Sequence, residues 1–317
     1  MTRVGAVDCG TNSIRLLIAD VASDRTLVQV SREMEIVRLG QGVDATGRIA
    51  PDSMVRTLAT AWRYAAACSE AGCASVRFVA TSAARDAANA AEFVAGVREA
   101  FGAFEVAPEV VSGGEEAALS FVGATGDLRA GGVPAPYLVV DIGGGSTEFV
   151  RGAEAVEEAA SVDIGSVRMT ERHLSGDPPT EEEVWPALGE IATAIDRAAG
   201  QVDFAGVATL VGLAGSVTTV TAHALRLDAY RPEAIHGAEL PAELVIEAAT
   251  ELVRMTRAQR AALPYMHPGR VDVIGAGALV WRTVIQRLQR DAGLATVRAS
   301  EHDILDGIAL SQVATLP

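Results

Sequence analysis

The chain has 317 residues, 49% hydrophobic and 21% charged, so it can bury a sizeable core and is long enough for two domains. Its formal net charge of −15 argues against general nucleic-acid or anionic-membrane binding, which needs a positive field. All 26 basic residues are arginines, which excludes a P-loop lysine and a Schiff-base lysine; a phosphate site must use arginine, backbone N–H groups or a metal.

In chain order, "VGAVDCGTNSIRLLIAD" (4–20) predicts a strand, a tight turn and a second strand. Asp8, Arg15 and Asp20 interrupt its apolar run and no basic segment precedes it, so it does not read as a signal peptide. "RTLVQVSREMEIVRLG" (25–40) continues the strand character, and "SMVRTLATAWRYAAACSEAG" (53–72) is helical, with Gly72 near its end. Residues 76–102 predict a strand feeding a helix, and 109–124 repeat that order. Cys9, Cys68 and Cys73 are odd in number and match no zinc spacing, as expected of reduced, buried thiols in a cytoplasmic protein. The Gly- and Pro-rich stretch 125–136 predicts a connector, after which "YLVVDIGGGSTEFVRG" (137–152) restarts the strand pattern. The stretch 205–225 lacks Asp, Glu and Arg, but its Gly, Ser and Thr content and His223 favour a buried strand, a turn at 212–219 and a helix over a membrane span. Residues 271–293 predict a further strand and helix, and the alternation argues for α/β architecture.

The restart is an internal repeat. Val7-Asp8-Cys9-Gly10-Thr11-Asn12-Ser13 and Val140-Asp141-Ile142-Gly143-Gly144-Gly145-Ser146 both read V-D-x-G-x-x-S, at a constant offset of 133 residues. Glycines let a hairpin bend tightly and turn its N–H groups toward a ligand, and the serine hydroxyl adds a donor. The aspartate cannot bind phosphate directly but can hold Mg²⁺, which grips phosphate oxygens. The bland alternative is two ordinary glycine hairpins with capped turns. A single copy favours it, whereas two copies in the same order favour a phosphate clamp made of Gly10, Thr11, Asn12 and Ser13 with Gly143, Gly144, Gly145 and Ser146.

These paired loops resemble phosphate-1 and phosphate-2 of the actin, Hsp70 and sugar-kinase superfamily. With "ATSAARDA", "SGGEEAALSF" and "PGRVDVIGAGAL" they resemble the exopolyphosphatase/guanosine pentaphosphate phosphohydrolase (Ppx/GppA) family along nearly the whole chain. The resemblance implies the family's short form, without the additional helical C-terminal region of longer members. "SEHDILDGIAL" (300–310) departs from the commoner "LREG" version of that segment, which points to a distinct subgroup. The implied fold is two actin-like (ribonuclease H-like) α/β domains related by the repeat, with an interdomain active-site cleft. Residues 1–124 would form the first domain, joined by a C-terminal helix at 303–317, and 125–302 the second.

Ser112-Gly113-Gly114-Glu115 fits a capping box, which explains Glu115 structurally. Glu116 is not required by that box. The residues alone leave it open between a solvated helix-start glutamate and a catalytic one, and the resemblance implies the role of activating water. Arg85 is expected in the first turn of a helix capped by Thr81 or Ser82, where a cation opposes the helix dipole. The alternative is a surface pair with Asp86; the resemblance implies a phosphate contact. Arg15, Arg38 and Arg168 are weaker candidates for an anion track, each otherwise an ordinary solvated arginine. Asp141, Glu148 and Asp8 are the candidate ligands for Mg²⁺ or Mn²⁺, Glu148 being otherwise a solvent-facing strand residue. The five histidines show no ligand spacing, and His302 reads as lying at a helix start.

The expected activity is that of a phosphoric anhydride hydrolase, an exopolyphosphatase that releases terminal orthophosphate from inorganic polyphosphate in the cytoplasm. No nucleic-acid or membrane partner is expected, and the resemblance is compatible with a homodimer. Guanosine pentaphosphate 5′-phosphohydrolysis on the same site, with (p)ppGpp as substrate, is the first alternative. A kinase would need a nucleotide pocket near 212–219 and a catalytic aspartate, and a non-hydrolytic actin-like module would need neither Glu116 nor Arg85.

Overall fold

Two apolar runs, one in each copy of the repeat, become the central strands of two sheets. The computed structural model describes residues 1–313 and divides into two compact units, Met1–Gly123 with the chain from Asp303 onward, and Ala124–His302. The chain passes from the first unit to the second within one helix and returns between His302 and Asp303.

In the first unit, β1 (Thr2–Cys9) is buried from Val4 to Cys9, as a strand covered on both faces must be. It pairs antiparallel with β2 (Ser13–Val21), which pairs with β3 (Leu27–Ile36). The short α1 (Val43–Thr46) and the long α2 (Pro51–Glu70) follow, α2 opening on a proline whose missing N–H would be unpaired there in any case. Next come β4 (Ser75–Ala80), α3 (Ser82–Arg85), α4 (Ala90–Ala100), β5 (Glu109–Val110) and α5 (Gly113–Ala130). The sheet order is β3-β2-β1-β4-β5, with β4 parallel to β1 and β5 parallel to β4. Tyr64, Phe78, Phe93 and Phe101 fill one side of this sheet. Val4, Leu17, Val79 and Leu119 meet Ile304, Leu305 and Ile308 on the other.

The second unit repeats the plan. β6 (Tyr137–Ile142), buried throughout, pairs antiparallel with β7 (Thr147–Gly152), which pairs with β8 (Val156–Val162). The helices α6 (Ser166–His173) and α7 (Glu181–Ala199) lead to β9 (Thr209–Leu213), parallel to β6. Then follow α8 (Ala214–Ala224), α9 (Pro232–Ile235), β10 (Glu239–Pro241), α10 (Ala242–Arg254), α11 (Arg257–Ala261), α12 (Ile274–Ala292) and β11 (Thr296–Ala299). The order is β10-β11-β9-β6-β7-β8. The last helix, α13 (Ile304–Ser311), belongs to the first unit. Positions 314–317 of the predicted terminal helix lie outside the described residues.

Three predicted elements differ. The turn expected at 212–219 is the end of β9 running directly into α8, with the bend taken up at Ala214 (φ 65°). The segment 125–136 is not a connector throughout: α5 continues to Ala130, because Ala124, Thr125 and Leu128 bury one face of its last turns, and only the stretch around Gly132 (φ 68°) is irregular. No strand forms at 271–273; a 3₁₀ turn (Pro268–Arg270) leads into α12. Residues 274–281 are all buried, so the helix is apolar on every side there and shows no 3.6-residue period to separate it from a strand.

Candidate active site

The parallel strands of each sheet end on the segments that the sequence singles out. β1, β4 and β5 deliver Gly10–Ser13, Thr81–Arg85 and the start of α5, while β6 and β9 deliver Gly143–Ser146 and the start of α8. In open α/β sheets ligands bind beyond the carboxyl ends of parallel strands.

The two glycine loops share one backbone geometry. Gly10 N–H donates to Ser13 O at 2.9 Å, and Gly143 N–H to Ser146 O at 3.0 Å. The carbonyls between them are drawn backwards in both. Thr11 O accepts from Gly40 N–H (2.8 Å), and Asn12 O from the N–H groups of Val37 (3.1 Å) and Arg38 (2.9 Å). Gly143 O accepts from Ser166 N–H (2.9 Å), Gly144 O from Val167 N–H (2.8 Å), and Gly145 O from Gly165 N–H (3.1 Å). Among the described residues no protein acceptor takes the N–H groups of Thr11, Asn12, Gly144 or Gly145. Successive amides presented in this way form a concavity suited to an anion.

A second glycine stands behind each loop. A Cβ on Gly40 would lie 2.4 Å from Thr11 Cγ2, and one on Gly165 would lie 2.3 Å from the Gly144 carbonyl carbon. Sequence reasoning missed both; the available signal is a glycine heading each supporting segment, "LGQG" and "IGSVR". It also missed Ser82, whose Oγ lies 2.9 Å from Thr11 Oγ1, and Gly277, where a Cβ would stand 2.1 Å from Ser216 Oγ and 3.3 Å from Ser166 Cβ. Arg168, expected to be solvated, is largely covered and donates from Nε to Gly145 O at 2.8 Å, so it braces the loop.

The aspartates that lead into the loops sit in different electrostatic settings. Asp8 pairs across β1–β2 with Arg15, and Asp141 pairs across β6–β7 with Glu148 at the same repeat position. Arg15 donates to Asp8 Oδ2 from Nε (3.0 Å) and Nη2 (2.7 Å), and it also binds Asp303. Asp8, an expected cation ligand, is ion-paired with Arg15, whose guanidinium also reaches Asp303. Burial raises the Asp8 carboxyl above its usual value, against the pull of Arg15. Burial pushes Asp303 the same way, but Arg15 and Arg32 together overcome it and hold Asp303 below the usual carboxylate value. Arg32 in turn binds Asp306 at 2.6 Å.

In the second hairpin two carboxylates face each other, with Asp141 7% and Glu148 1% exposed. Glu148 is therefore not solvent-facing; its Oε1 accepts from Ser161 Oγ at 2.8 Å. Like charges directly opposite in a sheet destabilise it. A hard divalent cation would offset that repulsion, and an oxygen-only donor pair fits Mg²⁺ or Mn²⁺.

Glu116 lies in the first turn of α5, 8% exposed, where the helix dipole favours its ionised form. Arg85 Nη1 lies 3.4 Å from Glu116 Oε2 and donates to Val111 O at 2.9 Å. Arg85 stands in the single turn of α3, whose N-cap is Thr81 as expected; in four residues the first and last turns coincide, so the dipole has little to oppose. Only half of the predicted capping box forms. Ser112 Oγ accepts from Glu115 N–H at 3.2 Å, but the Glu115 carboxylate binds Arg77 at 2.9 Å. Glu116 and Arg85 thus belong to the first unit, Asp141 and Glu148 to the second.

Among the described residues no helix is long and apolar enough to cross a membrane. A family model described as the Ppx/GppA phosphatase family matches residues 17–312. The chain is 50% identical over 316 residues to Exopolyphosphatase 2 of Mycobacterium tuberculosis, covering 98% of each chain. The crystal structure of an exopolyphosphatase-like protein superposes with a TM-score of 0.94 at 42% identity, covering 100% of both chains. The Aquifex aeolicus Ppx/GppA family member gives a TM-score of 0.80 at 29% identity, covering 99% of this chain and 98% of its own. The two sheets are therefore those of the two-domain, actin-like α/β fold.

Proposed function

The chain belongs to the Ppx/GppA phosphatase family, and from that premise we propose that it is an exopolyphosphatase, hydrolysing the terminal phosphoanhydride bond of inorganic polyphosphate. The observation that carries this reading is the pair of loops with their carbonyls tied back and their amides presented forward. Such loops bind phosphate oxygens without needing lysine, which the chain lacks. Gly10–Ser13 and Gly143–Ser146 are the phosphate-binding segments of this proposal.

Glu116 orients a water and takes its proton as the water oxygen attacks the terminal phosphorus. The bridging P–O bond breaks, orthophosphate leaves, and the shortened chain departs with the bridging oxygen. Arg85, held by Val111 O and beside Glu116, compensates the charge that spreads over the phosphoryl oxygens. Phosphoryl transfer asks chiefly for such positioning and charge compensation. Asp141 and Glu148 would hold Mg²⁺ or Mn²⁺, which supplies further neutralisation of phosphate oxygens. Asp8, ion-paired with Arg15, is the third candidate carboxylate for that cation. Cytoplasmic location and a homodimer complete the proposal.

The deciding experiment measures orthophosphate release from long-chain polyphosphate and from guanosine pentaphosphate at equal concentrations of phosphoanhydride ends. We expect the higher kcat/KM on polyphosphate. A clear preference for guanosine pentaphosphate would move the assignment to 5′-phosphohydrolysis, and release from neither would overturn it.

A further inference from the structure

Three metal-ligating side chains from separate stretches of the second unit meet: Asp127 near the end of α5, His236 just after α9, and His302 after β11. Asp127 Oδ2 lies 3.3 Å from His236 Nε2 and 2.7 Å from His302 Nδ1. The imidazole centroids are 4.3 Å apart, with the rings tilted by 40°. One ligand atom from each residue lies within 4.8 Å of the others, and all three side chains are open to solvent, at 60%, 31% and 40% exposure for Asp127, His236 and His302.

We propose that Asp127, His236 and His302 bind a transition-metal dication, Zn²⁺ by preference, at a site that uses no residue of the glycine loops. The chemistry of the set selects the metal: two imidazole nitrogens and one carboxylate oxygen suit Zn²⁺, Co²⁺ or Ni²⁺, whereas Mg²⁺ seeks oxygen alone. With bonds near 2.1 Å, tetrahedral coordination sets ligand atoms about 3.3 Å apart. The His236–Asp127 separation already has that value, and His302 need only retreat by a few tenths of an ångström. Without metal, Glu301 N–H donates to His236 Nδ1 at 3.3 Å, which places the ring proton on Nε2, facing Asp127. Coordination at Nε2 moves that proton to Nδ1, and the contact with Glu301 N–H is given up. Ser300 Oγ, 3.5 Å from His236 Nδ1, is placed to accept from the ring once Nε2 is a ligand, the partner that metal-bound histidines usually have. Three protein ligands leave a further position for water.

The site has a consequence for the second unit. Asp127 is the fourth residue of the unit, which begins at Ala124, and His302 is its last. A shared cation closes the chain of that unit on itself, as a clip does.

The test uses the metal-free full-length protein with Mg²⁺ in excess. Equilibrium dialysis against Zn²⁺ should give one bound ion per chain. The double variant H236A/H302A should lose that ion, and D127N should bind it at least tenfold more weakly. Co²⁺ should give the visible absorption of a low-coordinate nitrogen and oxygen site without a thiolate charge-transfer band, and C73S should leave it unchanged. Thermal unfolding of the metal-free variants shows whether they fold. Zn²⁺ stoichiometry unchanged in folded H236A/H302A, a thiolate band lost in C73S, or no binding to the parent chain would each overturn the assignment. None of these readouts depends on which phosphate ester or anhydride is hydrolysed.

Discussion

Position by position, the two hairpins differ most where Arg15 in one corresponds to Glu148 in the other. One aspartate is paired with an arginine across its hairpin and the other with a glutamate, so the two copies differ in charge at the same position. Glu116 is the proposed general base. Replacement by Gln keeps its shape and removes the base, so kcat should fall by about 10²–10⁴-fold in a phosphate-release assay. KM should stay level or fall, because Arg85 loses a competing carboxylate. A kcat within tenfold of the parent would remove Glu116 from the mechanism. Asp303 gives a pH signature. Its folded pKa is depressed, so its contribution to stability is complete above the unfolded value of about 3.9 and is lost as pH falls through the folded value. Asp8, with its pKa raised, has the opposite sign. D303N should therefore cost about 3 kcal/mol at pH 7, the scale for breaking a buried ion pair, and more than D8N. The gap between D303N and the parent should narrow below about pH 4, as followed by thermal melts.

Helix placement in the first unit turns on a close crossing. A Cβ on Gly307 of α13 would lie 2.0 Å from Leu119 O of α5, and one on Gly123 would lie 1.8 Å from Asp303 O. Backbone stands on the other side in both cases, so no side chain can swing away. G307A should destabilise by about 1–3 kcal/mol in chemical denaturation, as overpacking does. Gly126, on the same α5 but with nothing near its Cβ position, provides the contrast: G126A should be neutral or stabilising by up to about 1 kcal/mol. Equal effects would mean that helix propensity rather than the crossing decides. The same elements show what was legible in the sequence. The strands around Asp8 and Asp141 were legible because tight turns and alternation are local signals and the repeat supplied a second copy. The start of α12 was not, because a helix buried on every side has no polar face to mark its period. The Arg15–Asp303 pair and the Asp127–His236–His302 cluster were not, because their members come from distant parts of the chain and only the fold brings them together. The solvated role expected for Arg168 failed because the loop carbonyl it braces becomes visible only in three dimensions.

At the scale of the whole molecule, an acidic protein is proposed to act on a polyanion. The chain carries 41 acidic against 26 basic residues, all arginine, for a net charge of −15, so its long-range field opposes the approach of polyphosphate. Contacts within the site act over a few ångströms through amides and a half-buried Arg85, whereas the net charge acts over the Debye length. That length shrinks from about 30 Å at 0.01 M to about 8 Å at 0.15 M salt. Added salt therefore weakens the repulsion more than the binding contacts. With free Mg²⁺ held fixed, KM for long-chain polyphosphate should fall several-fold between those salt concentrations while kcat changes little. Short chains, with fewer charges to repel, should show a smaller change. A KM that rises with salt would mean that arginine contacts along the substrate path outweigh the net charge, and R38A would then be the variant expected to flatten the dependence.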